Sequence, residues 1–446
     1  MACKVSLQSS LATLIAISVA NSGNGSVQVA GRCIAYVRPA TRIPSTLLHL
    51  VPMPAWEQRK LSEVATFGGG HTPPMADPDN YEDGYVLWVT SQDVKSNYLD
   101  RTTTQITEKG AKELTLYPAG SLVMVTRSGI LRHTLPVAEL RKPSTVNQDI
   151  RVILPQGECC GEWLLQFFIS HNKELLLEFG KTGTTVESVD FGKIKDMLLY
   201  MPSTVEQQQI GDFFAKLDSL ITLHQRKYDK LVIFKKSMLE KMFPKDGESV
   251  PEIRFAGFTD PWEQRELVDI AEIVGGGTPD TNNSNYWDGD IDWYAPAELG
   301  NNIYAESSTR KITQAGFDSC STKMLPADKT ILFTSRAGIG NTAILRHSAC
   351  TNQGFQSLVI GDADVYFVYS MSERIKKWAE EKASGSTFLE ISGRQLETMP
   401  VNLPSLVEQQ AIGSFFSHLD DLITLHQRKL ELLQNIKKSL LDKMFV

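Results

Sequence analysis

Two short segments that carry arginine, asparagine and glutamine occur twice in this chain of 446 residues. The first, Thr126-Arg127-Ser128-Gly129, returns as Ser335-Arg336-Ala337-Gly338, and the second, Asn147-Gln148, returns as Asn352-Gln353. Arg, Asn and Gln are the side chains that make paired hydrogen bonds to base edges. A glycine beside them lets the backbone approach a duplex closely. The two recurring segments therefore predict contacts with double-stranded DNA.

Three consecutive glycines precede these segments in each half of the chain and are followed closely by Thr-Pro. Neither glycine run has the lysine of a nucleotide-binding P-loop or the downstream acidic residue of a dinucleotide site. As an anion-binding loop the pattern is weak, and a plain turn is the simpler interpretation. With the glycines included, the residues predicted to contact DNA are Gly68, Gly69, Gly70, Thr126, Arg127, Ser128, Asn147, Gln148, Gly275, Gly276, Gly277, Ser335, Arg336, Asn352 and Gln353.

Catalytic and metal-binding patterns are weak in this sequence. It contains no HExxH motif, no spacing typical of a zinc site, and no NPPY- or DPPY-like segment of a base methyltransferase. Glu380-Glu381-Lys382, with Pro279-Asp280 well before it, crudely resembles a nuclease triad. The segment lies beside Trp378 in an amphipathic stretch, which favours a solvated helix face. We predict no catalytic residue and no metal site in this chain.

Composition limits the class of protein further. Lys plus Arg number 45 against 52 Asp plus Glu, a net charge of −7 that excludes a uniformly basic nucleic-acid binder. Locally basic stretches remain at 121–151, 224–245 and 321–355. Six cysteines without a CxxC motif fit a reducing, cytoplasmic location. The segment 11–20 is too short for a membrane span but resembles a signal-peptide core, so secretion is the minor alternative.

Motifs recur in the same order along the two halves of the chain. Trp56-Glu57-Gln58-Arg59 returns as Trp262-Glu263-Gln264-Arg265, and Lys241-Met242-Phe243 returns as Lys443-Met444-Phe445. The repeating units cover 56–243 and 262–445. Two copies are too few for a solenoid. The pattern therefore indicates a tandem duplication of a two-part unit.

The first part of each unit reads as a mixed α/β globule. Apolar stretches such as Leu87-Trp88-Val89, 121–125 and 331–333 lie between clusters of Gly, Pro, Asn and Asp, which is typical of strands. The similarity between the copies is weak here: scaffold positions recur, and the segments between them differ.

The second part of each unit reads as one long helix. Ser203 with Glu206, and Ser405 with Glu408, have the spacing of a capping box. A heptad pattern follows over roughly 40 residues, which makes a helix about 60 Å long. His224 and His426 occupy equivalent seam positions, as do Lys235 and Lys437. The apolar seam predicted to join the helices comprises Ile210, Phe214, Leu217, Ile221, Leu231, Met238, Ile412, Phe416, Leu419, Ile423, Leu433 and Leu440.

The direction of the helix pair follows from the size of the globules. A globule of about 140 residues spans roughly 40 Å. In a parallel pair, the second globule would have to bridge about 60 Å from the end of one helix to the start of the other. An antiparallel pair places those two ends together. We therefore predict an α+β protein with two α/β domains, related by an approximate two-fold axis, at the two ends of an antiparallel coiled coil.

At the level of motifs, the chain resembles the specificity subunit of type I restriction-modification enzymes. The resemblance rests on the Pro-Ser-x-Val-Glu-Gln-Gln helix openings at 202–208 and 404–410 and on the Leu-Asp-x-Leu-Ile-Thr-Leu-His-Gln-Arg-Lys runs at 217–227 and 419–429. The Trp-Glu-Gln-Arg starts, the glycine runs and the Asn-Gln pairs add to it. It covers residues 56–446.

This resemblance implies a function and a set of partners. Each globular domain would be a target-recognition domain that reads one half of a bipartite, asymmetric DNA site. The helix pair would set the gap and dock two modification (methyltransferase) subunits, to which restriction subunits then bind. S-adenosylmethionine, ATP and magnesium would belong to those partners, so this chain would be non-catalytic by itself and need no cofactor.

The resemblance also divides the chain into segments. The expected divisions are 56–202 for recognition domain 1, 203–245 for long helix 1, 246–261 for a linker, 262–403 for recognition domain 2, and 404–446 for long helix 2. Residues 1–55 match nothing in the second copy, and we assign them no role. Two other functions stay open at this point: a coiled-coil scaffold that binds only proteins, and a stand-alone nuclease that uses Glu380 and Lys382.

Overall fold

The structure is a computed structural model that describes residues 56–182, 186–300, 302–336, 338–385 and 389–445. The segment 1–55, including the candidate signal-peptide core at 11–20, lies outside the described residues. The described residues form one compact unit. None of the helices in the described part of the chain is both long and apolar enough to cross a bilayer.

The first globular domain combines strands with short helices. Its strands are β1 (Glu57–Lys60), β2 (Ala65–Gly69), β3 (Val86–Val89), β4 (Tyr98–Leu99), β5 (Gln105–Ile106), β6 (Leu122–Val125), β7 (Val137–Leu140), β8 (Thr145–Val146), β9 (Ile150–Pro155), β10 (Gly180–Lys181), β11 (Ser188–Val189) and β12 (Leu198–Met201). Its helices are α1 (Leu61–Val64), α2 (Glu108–Ala111), α3 (Gly161–Ser170), α4 (Asn172–Phe179) and α5 (Phe191–Asp196). Helix α6 (Thr204–Lys241) then leaves the domain.

The second globular domain has the same plan. Its strands are β13 (Glu263–Glu266), β14 (Ala271–Gly275), β15 (Trp287–Tyr294), β16 (Tyr304–Ala305), β17 (Arg310–Ile312), β18 (Thr330–Phe333), β19 (Thr342–Leu345), β20 (Cys350–Thr351), β21 (Gln356–Ile360) and β22 (Pro400–Leu403). Its helices are α7 (Gln314–Asp318), α8 (Val365–Ser370), α9 (Ser372–Lys382) and α10 (Gly393–Glu397). Helix α11 (Leu406–Met444) ends the described chain.

Strand order shows that the two domains are copies of one fold. The five-stranded sheet runs β2-β9-β6-β7-β4 in the first domain and β14-β21-β18-β19-β16 in the second. A three-stranded sheet, β5-β3-β8 or β17-β15-β20, accompanies it in each domain. The strands predicted around residues 87–89, 121–125 and 331–333 are present as β3, β6 and β18.

The central strand β6 is buried on both faces, and its composition explains why. Successive side chains on a strand point to opposite faces. Leu122 and Met124 therefore pack into the core that contains helix α3, while Val123 and Val125 pack into the core on the other face of the sheet. A strand of four apolar residues can satisfy both faces, whereas an alternating strand could satisfy only one.

The long helices lie antiparallel, as predicted. Asp218 pairs with Lys437, His224 contacts His426, and Lys235 pairs with Asp420, so one residue number rises as the other falls. The contacting residues are equivalent in the two copies, which places an approximate two-fold axis at the histidine pair. The seam lysines therefore have a role that the heptad pattern did not reveal, because each meets an aspartate of the other helix.

Each domain packs against the start of its own helix and the end of the other one. The first core joins Ile210, Phe214 and Leu217 of α6 to Leu441 near the end of α11. The second core joins Met242 and Phe243, just beyond α6, to the start of α11. The two domains consequently lie at opposite ends of the helix pair, as the size argument predicted.

Two details of the long helices differ from expectation. Helix α6 ends at Lys241 rather than at 245, because Pro244 disfavours helical backbone in the residue before it. The main-chain oxygen of Pro244 instead accepts a hydrogen bond from Arg374 at 2.8 Å. The capping boxes are half formed: the Ser405 Oγ accepts the Glu408 N–H, but the Glu408 carboxylate binds Arg254 at 2.7 Å instead of returning to the helix start.

Candidate nucleic-acid interface

The predicted DNA-contacting segments meet at one edge of each five-stranded sheet. Strands β2 and β6 both run antiparallel to β9. The ends of β2 and β6 therefore lie beside the start of β9, and this brings together segments 69–72, 126–128 and 147–151. The same pairing in the second domain joins segments 275–278, 334–336 and 352–356. We call this the loop edge of each domain.

The loop edge lies away from the long helices. Strand β7 runs antiparallel to β6, so its end lies at the opposite edge of the sheet. There Arg141 binds Glu162 at 2.8 Å, and Tyr98 donates to Asp218 of helix α6 at 3.4 Å. One edge of the sheet thus joins the domain to the helices, and the loop edge lies at the other side.

The glycine runs are strand ends rather than turns or anion-binding loops. Gly68 and Gly69 belong to β2, and Gly275 belongs to β14. A Cβ atom at Gly68 would collide with the Tyr117 ring, whose hydroxyl accepts from the Gly69 N–H at 2.8 Å. A Cβ at Gly70 would collide with the Val146 carbonyl oxygen. These two glycines serve close packing, which corrects our interpretation of them as loop residues.

The glycine runs also align differently from their sequence match. Gly69 lies opposite Arg151 in β9, three residues after Gln148. Gly275 lies opposite Gln356 in β21, three residues after Gln353. Thr72 and Thr278 then bond to Gln148 and Gln353, respectively. Gly69 is therefore equivalent to Gly275, and the two runs are displaced by one residue, because sheet pairing rather than identity sets the alignment.

Asn147 and Asn352 have the same structural task in both domains. The Asn147 Oδ1 accepts the N–H of Asp149 at 3.1 Å, and the Asn352 Oδ1 accepts the N–H of Gly354 at 2.7 Å. This is the Asx turn that asparagine makes with the backbone two residues ahead. Asn147 is only 6% exposed. Both asparagines shape the loop edge, and their contact with DNA stays a prediction.

The neighbouring glutamines differ, because they are exposed and held from one side only. The Thr72 hydroxyl donates to the Gln148 Oε1 at 2.6 Å. The Thr278 hydroxyl makes the same bond to Gln353. No acceptor among the described residues takes the NH₂ group of either glutamine. A side-chain amide fixed at its oxygen in this way can present its donors to an acceptor on a base or a phosphate.

The two predicted arginines are also structurally equivalent. Arg127 forms an isolated bridge with Ser188, and Arg336 forms one with Glu390. Arg127 is exposed and Arg336 half-buried, and within the described ranges neither forms an ion pair. Nearby Arg132 differs, because its hydrogen bond to Glu187 lowers the pKa of that carboxyl and keeps the pair charged. The charges of Arg127 and Arg336 thus remain available to a phosphate or base.

Two of the three neighbouring residues predicted to contact DNA are buried. Thr126 is 8% exposed and its hydroxyl donates to the Asp149 carbonyl oxygen at 3.0 Å. Ser335 is fully buried, and Ser128 begins a 3-10 turn over Gly129–Arg132. Ser128 is half-buried, and contact of these three side chains with DNA stays a prediction.

Sequence reasoning missed two kinds of residue at the loop edge. Thr72 and Thr278 fix the glutamines, and their recurrence in Thr-Pro after each glycine run was the available signal. Arg151 and Gln356, opposite the equivalent glycines, were missed because they differ in type. A search for recurring residues overlooks positions whose chemistry changes.

Comparison with known proteins places the chain in a family. The model of the type I restriction modification DNA specificity domain matches twice, at residues 53–232 and 259–435, which together make up most of the chain. The chain belongs to this type I specificity family. The two matches follow the internal duplication, and each covers one globular domain with much of the helix that follows it.

Individual relatives agree with this assignment. The chain is 36% identical over 191 residues to the type I restriction enzyme MjaIX specificity subunit of Methanocaldococcus jannaschii, a stretch that covers 42% of this chain and 44% of that protein. It is 29% identical over 186 residues to the EcoR124I/EcoR124II specificity subunit of Escherichia coli, covering 39% and 46%. These matched stretches span about half the length of the two relatives.

Longer matches are weaker in identity. The MjaVIII specificity subunit of M. jannaschii is 21% identical over 87% of this chain and 91% of its own length. The crystal structure of the type I restriction-modification S subunit from M. genitalium superposes with a TM-score of 0.54 at 15% identity, covering 88% of this chain and 96% of that one. That likeness shows the shared fold.

The residues considered for nuclease chemistry lie together at one helix end. Glu380 and Lys382 are exposed at the end of helix α9, as expected of a solvated face. Among the residues that the structure describes, no cluster of three or more His, Cys, Asp or Glu side chains could hold a metal ion. Besides the Asp149 carboxylate, the loop-edge side chains described above carry amide, hydroxyl and guanidinium groups, which suit binding.

Proposed function

We propose that this specificity-family chain reads DNA for a type I restriction-modification complex, with each recognition domain reading one half of a bipartite, asymmetric site. The observation that carries the proposal is the placement of two domains with one strand order at opposite ends of an antiparallel helix pair. The same scaffold carries different side chains at its two loop edges, which accounts for two unlike half-sites.

The length of the helix pair supports this division of the site. Helix α6 has 38 residues and helix α11 has 39. At 1.5 Å per residue, each spans about 57 Å. Successive turns of duplex DNA are ~34 Å apart. Domains separated by such a rod can meet one duplex at points one to two turns apart, and the rod then sets the gap between the half-sites.

Exposed leucines on the long helices support the docking of two modification subunits. Leu220 and Leu223 on α6, and their equivalents Leu422 and Leu425 on α11, are between 40% and 46% exposed. Large apolar side chains that recur in the open are typical of a protein–protein interface. Because the approximate two-fold axis repeats the patch, the helices offer two equal sites. The chain would then be non-catalytic, with S-adenosylmethionine, ATP, magnesium and the restriction subunits supplied by the assembly.

Arginine variants test the DNA-reading role. Arg127→Ala should weaken binding through the first half-site and Arg336→Ala through the second, each by about 1–3 kcal/mol if the contact is to a base. Binding would be measured by gel shift on the complex with modification subunits, using DNA selected from its methylated sites. Arg346→Ala is the matched control, because Arg346 pairs with Asp328 at 2.9 Å at the opposite edge of the sheet.

Salt dependence separates this role from a protein-only scaffold. A complex that neutralises phosphates loses affinity steeply as salt rises, and each phosphate contact removed makes the slope shallower. A scaffold that binds only proteins would give no such slope. Unchanged affinity in both arginine variants would reject those two contacts, and the absence of sequence-dependent binding by the wild-type complex would reject the function.

A further inference from the structure

The internal duplication allows the two loop edges to be compared position by position. Arg151 lies directly opposite Gly69 in the pairing of β2 with β9. Gln356 lies directly opposite Gly275 in the pairing of β14 with β21. Both follow the shared Asn-Gln turn and its bond to a threonine. The scaffold is therefore the same on each side of this position, and the side chain it presents differs.

The approach of Arg151 depends on Gly69. A Cβ atom at Gly69 would collide with the Arg151 Nη1, and the two next nearest atoms also belong to the Arg151 side chain. The guanidinium therefore lies across the bare backbone of Gly69. The equivalent contact is ordinary, because a Cβ at Gly275 would lie 3.6 Å from the Gln356 Oε1. At this position, therefore, only the first domain requires a glycine.

The charge of Arg151 is not used within the protein. The side chain is exposed, and no described acidic residue forms an ion pair with it. By contrast, Arg132 and Arg141 are each held by a glutamate. An exposed guanidinium that lies across a glycine, three residues beyond a glutamine at the loop edge, is placed to donate outward. Gln356 is half-buried and supplies a neutral donor and acceptor at the same point.

We propose that position 151 of the first domain and position 356 of the second are equivalent specificity-determining positions, where Arg151 reads a guanine in one half-site and Gln356 reads an adenine in the other. This inference rests on the proposed function. Arginine makes its paired hydrogen bonds to the O6 and N7 atoms of guanine, while glutamine makes them to the N6 and N7 atoms of adenine. The duplicated fold then obtains two unlike half-sites by changing one side chain on a common frame.

Exchange of the two residues tests the proposal. Arg151→Gln should replace guanine by adenine at one position of one half-site, and Gln356→Arg should do the reverse in the other. The readout is the methylated motif, determined by methylome sequencing of cells that express the full chain with its modification subunits. Discrimination at the affected base should fall about tenfold to a hundredfold in gel shifts with matched duplexes.

A pair of glycine variants separates reading from folding. Gly69→Ala should relax the same base position as Arg151→Gln, because the new methyl group displaces the guanidinium. Gly275→Ala should leave the motif unchanged, since its Cβ would make an ordinary contact. A wild-type chain without any methylated bipartite motif would overturn both the function and this inference. A wild-type motif that the exchanges leave unchanged, or alter in both halves at once, would overturn the inference alone.

Discussion

The two ion pairs that join the long helices have the same residues but different surroundings. Asp218 accepts from Lys437 at 2.6 Å and also from Asn97 at 3.0 Å and Gln166 at 3.3 Å. Asp420 accepts from Lys235 at 2.5 Å and from Tyr366 at 2.8 Å. The side chain of Lys437 is 10% exposed, whereas that of Lys235 is 26% exposed.

This difference separates what the helices specify from what the domains add. The helices bring an aspartate of one to a lysine of the other at two symmetric places, which selects the antiparallel register. A buried ion pair is by itself weak evidence for added stability, because desolvation of the two charges offsets their attraction. Side chains of each domain then donate hydrogen bonds to the aspartate near it. A duplicated helix pair can therefore keep its geometry while the domains attached to it diverge.

Removal of the aspartate charge should have the largest effect on stability and should affect the two ion pairs unequally. Asp218→Asn leaves Lys437 charged and buried, so we expect a loss of about 3 kcal/mol in the free energy of unfolding. Asp420→Asn should cost about 1–2 kcal/mol, because Lys235 can reach water. Urea unfolding followed by tryptophan fluorescence measures both. Equal losses in the two variants would show that the differing burial of the lysines has no energetic effect.

The openings of the two helices offer a second contrast. Glu408 makes two bonds of 2.7 Å to Arg254 in the linker, whereas the equivalent Glu206 has no ion pair among the described residues. Glu408→Gln should therefore cost about 2 kcal/mol. Glu206→Gln should change the free energy of unfolding by less than about 0.5 kcal/mol.

The same unfolding assay compares these variants, with Arg254→Gln as the control for Glu408. If the pair acts as a unit, Arg254→Gln and Glu408→Gln should be less than additive when combined. A sizeable loss in Glu206→Gln would mean that this carboxylate has a partner of its own and that the two helix openings are more alike than they look.

Acidification should lower the stability of the helix pair at its centre, and we expect this to be the smallest of the predicted effects. The Nδ1 atoms of His224 and His426 lie 2.9 Å apart, which requires one of them to lack a proton. Burial lowers the pKa of His224, and the second imidazole adds to this, with Lys227 and Lys429 nearby. Burial likewise lowers the pKa of His426.

The unfolded chain therefore binds protons near pH 6.5 that the folded chain does not. Stability contributed by the pair is complete above that pH and is lost as the pH falls below it. Burial and the nearby Glu162 raise the pKa of Glu139 to about 7, which has the opposite effect. Comparison of the wild type with a His224→Gln, His426→Gln double variant removes the effect of Glu139, because both proteins contain it. The difference between the unfolding midpoints of the two proteins should be smaller at pH 5.5 than at pH 7.5. An equal difference at both pH values would contradict the prediction.

Much of the fold followed from local pattern. The heptads of the two repeats gave both long helices to within a few residues, and the apolar runs gave strands β3, β6 and β18. The recurrence of their motif predicted that Arg127 and Arg336 are equivalent. The structure places each of them at the loop edge of its own domain. Arg151 and Gln356 could not be found in this way, because their equivalence exists only in the register of strands far apart along the chain.

The sequence by itself determined the duplication, the two helices and their antiparallel direction, because repeats and heptad periodicity are local and the chain must connect one helix to the next. Only the tertiary structure decided which glycines are equivalent, that Asn147 holds a turn, and which aspartate meets each seam lysine. Those facts depend on contacts between residues that are distant in sequence, and no local pattern of residue types encodes which of several possible partners a side chain reaches.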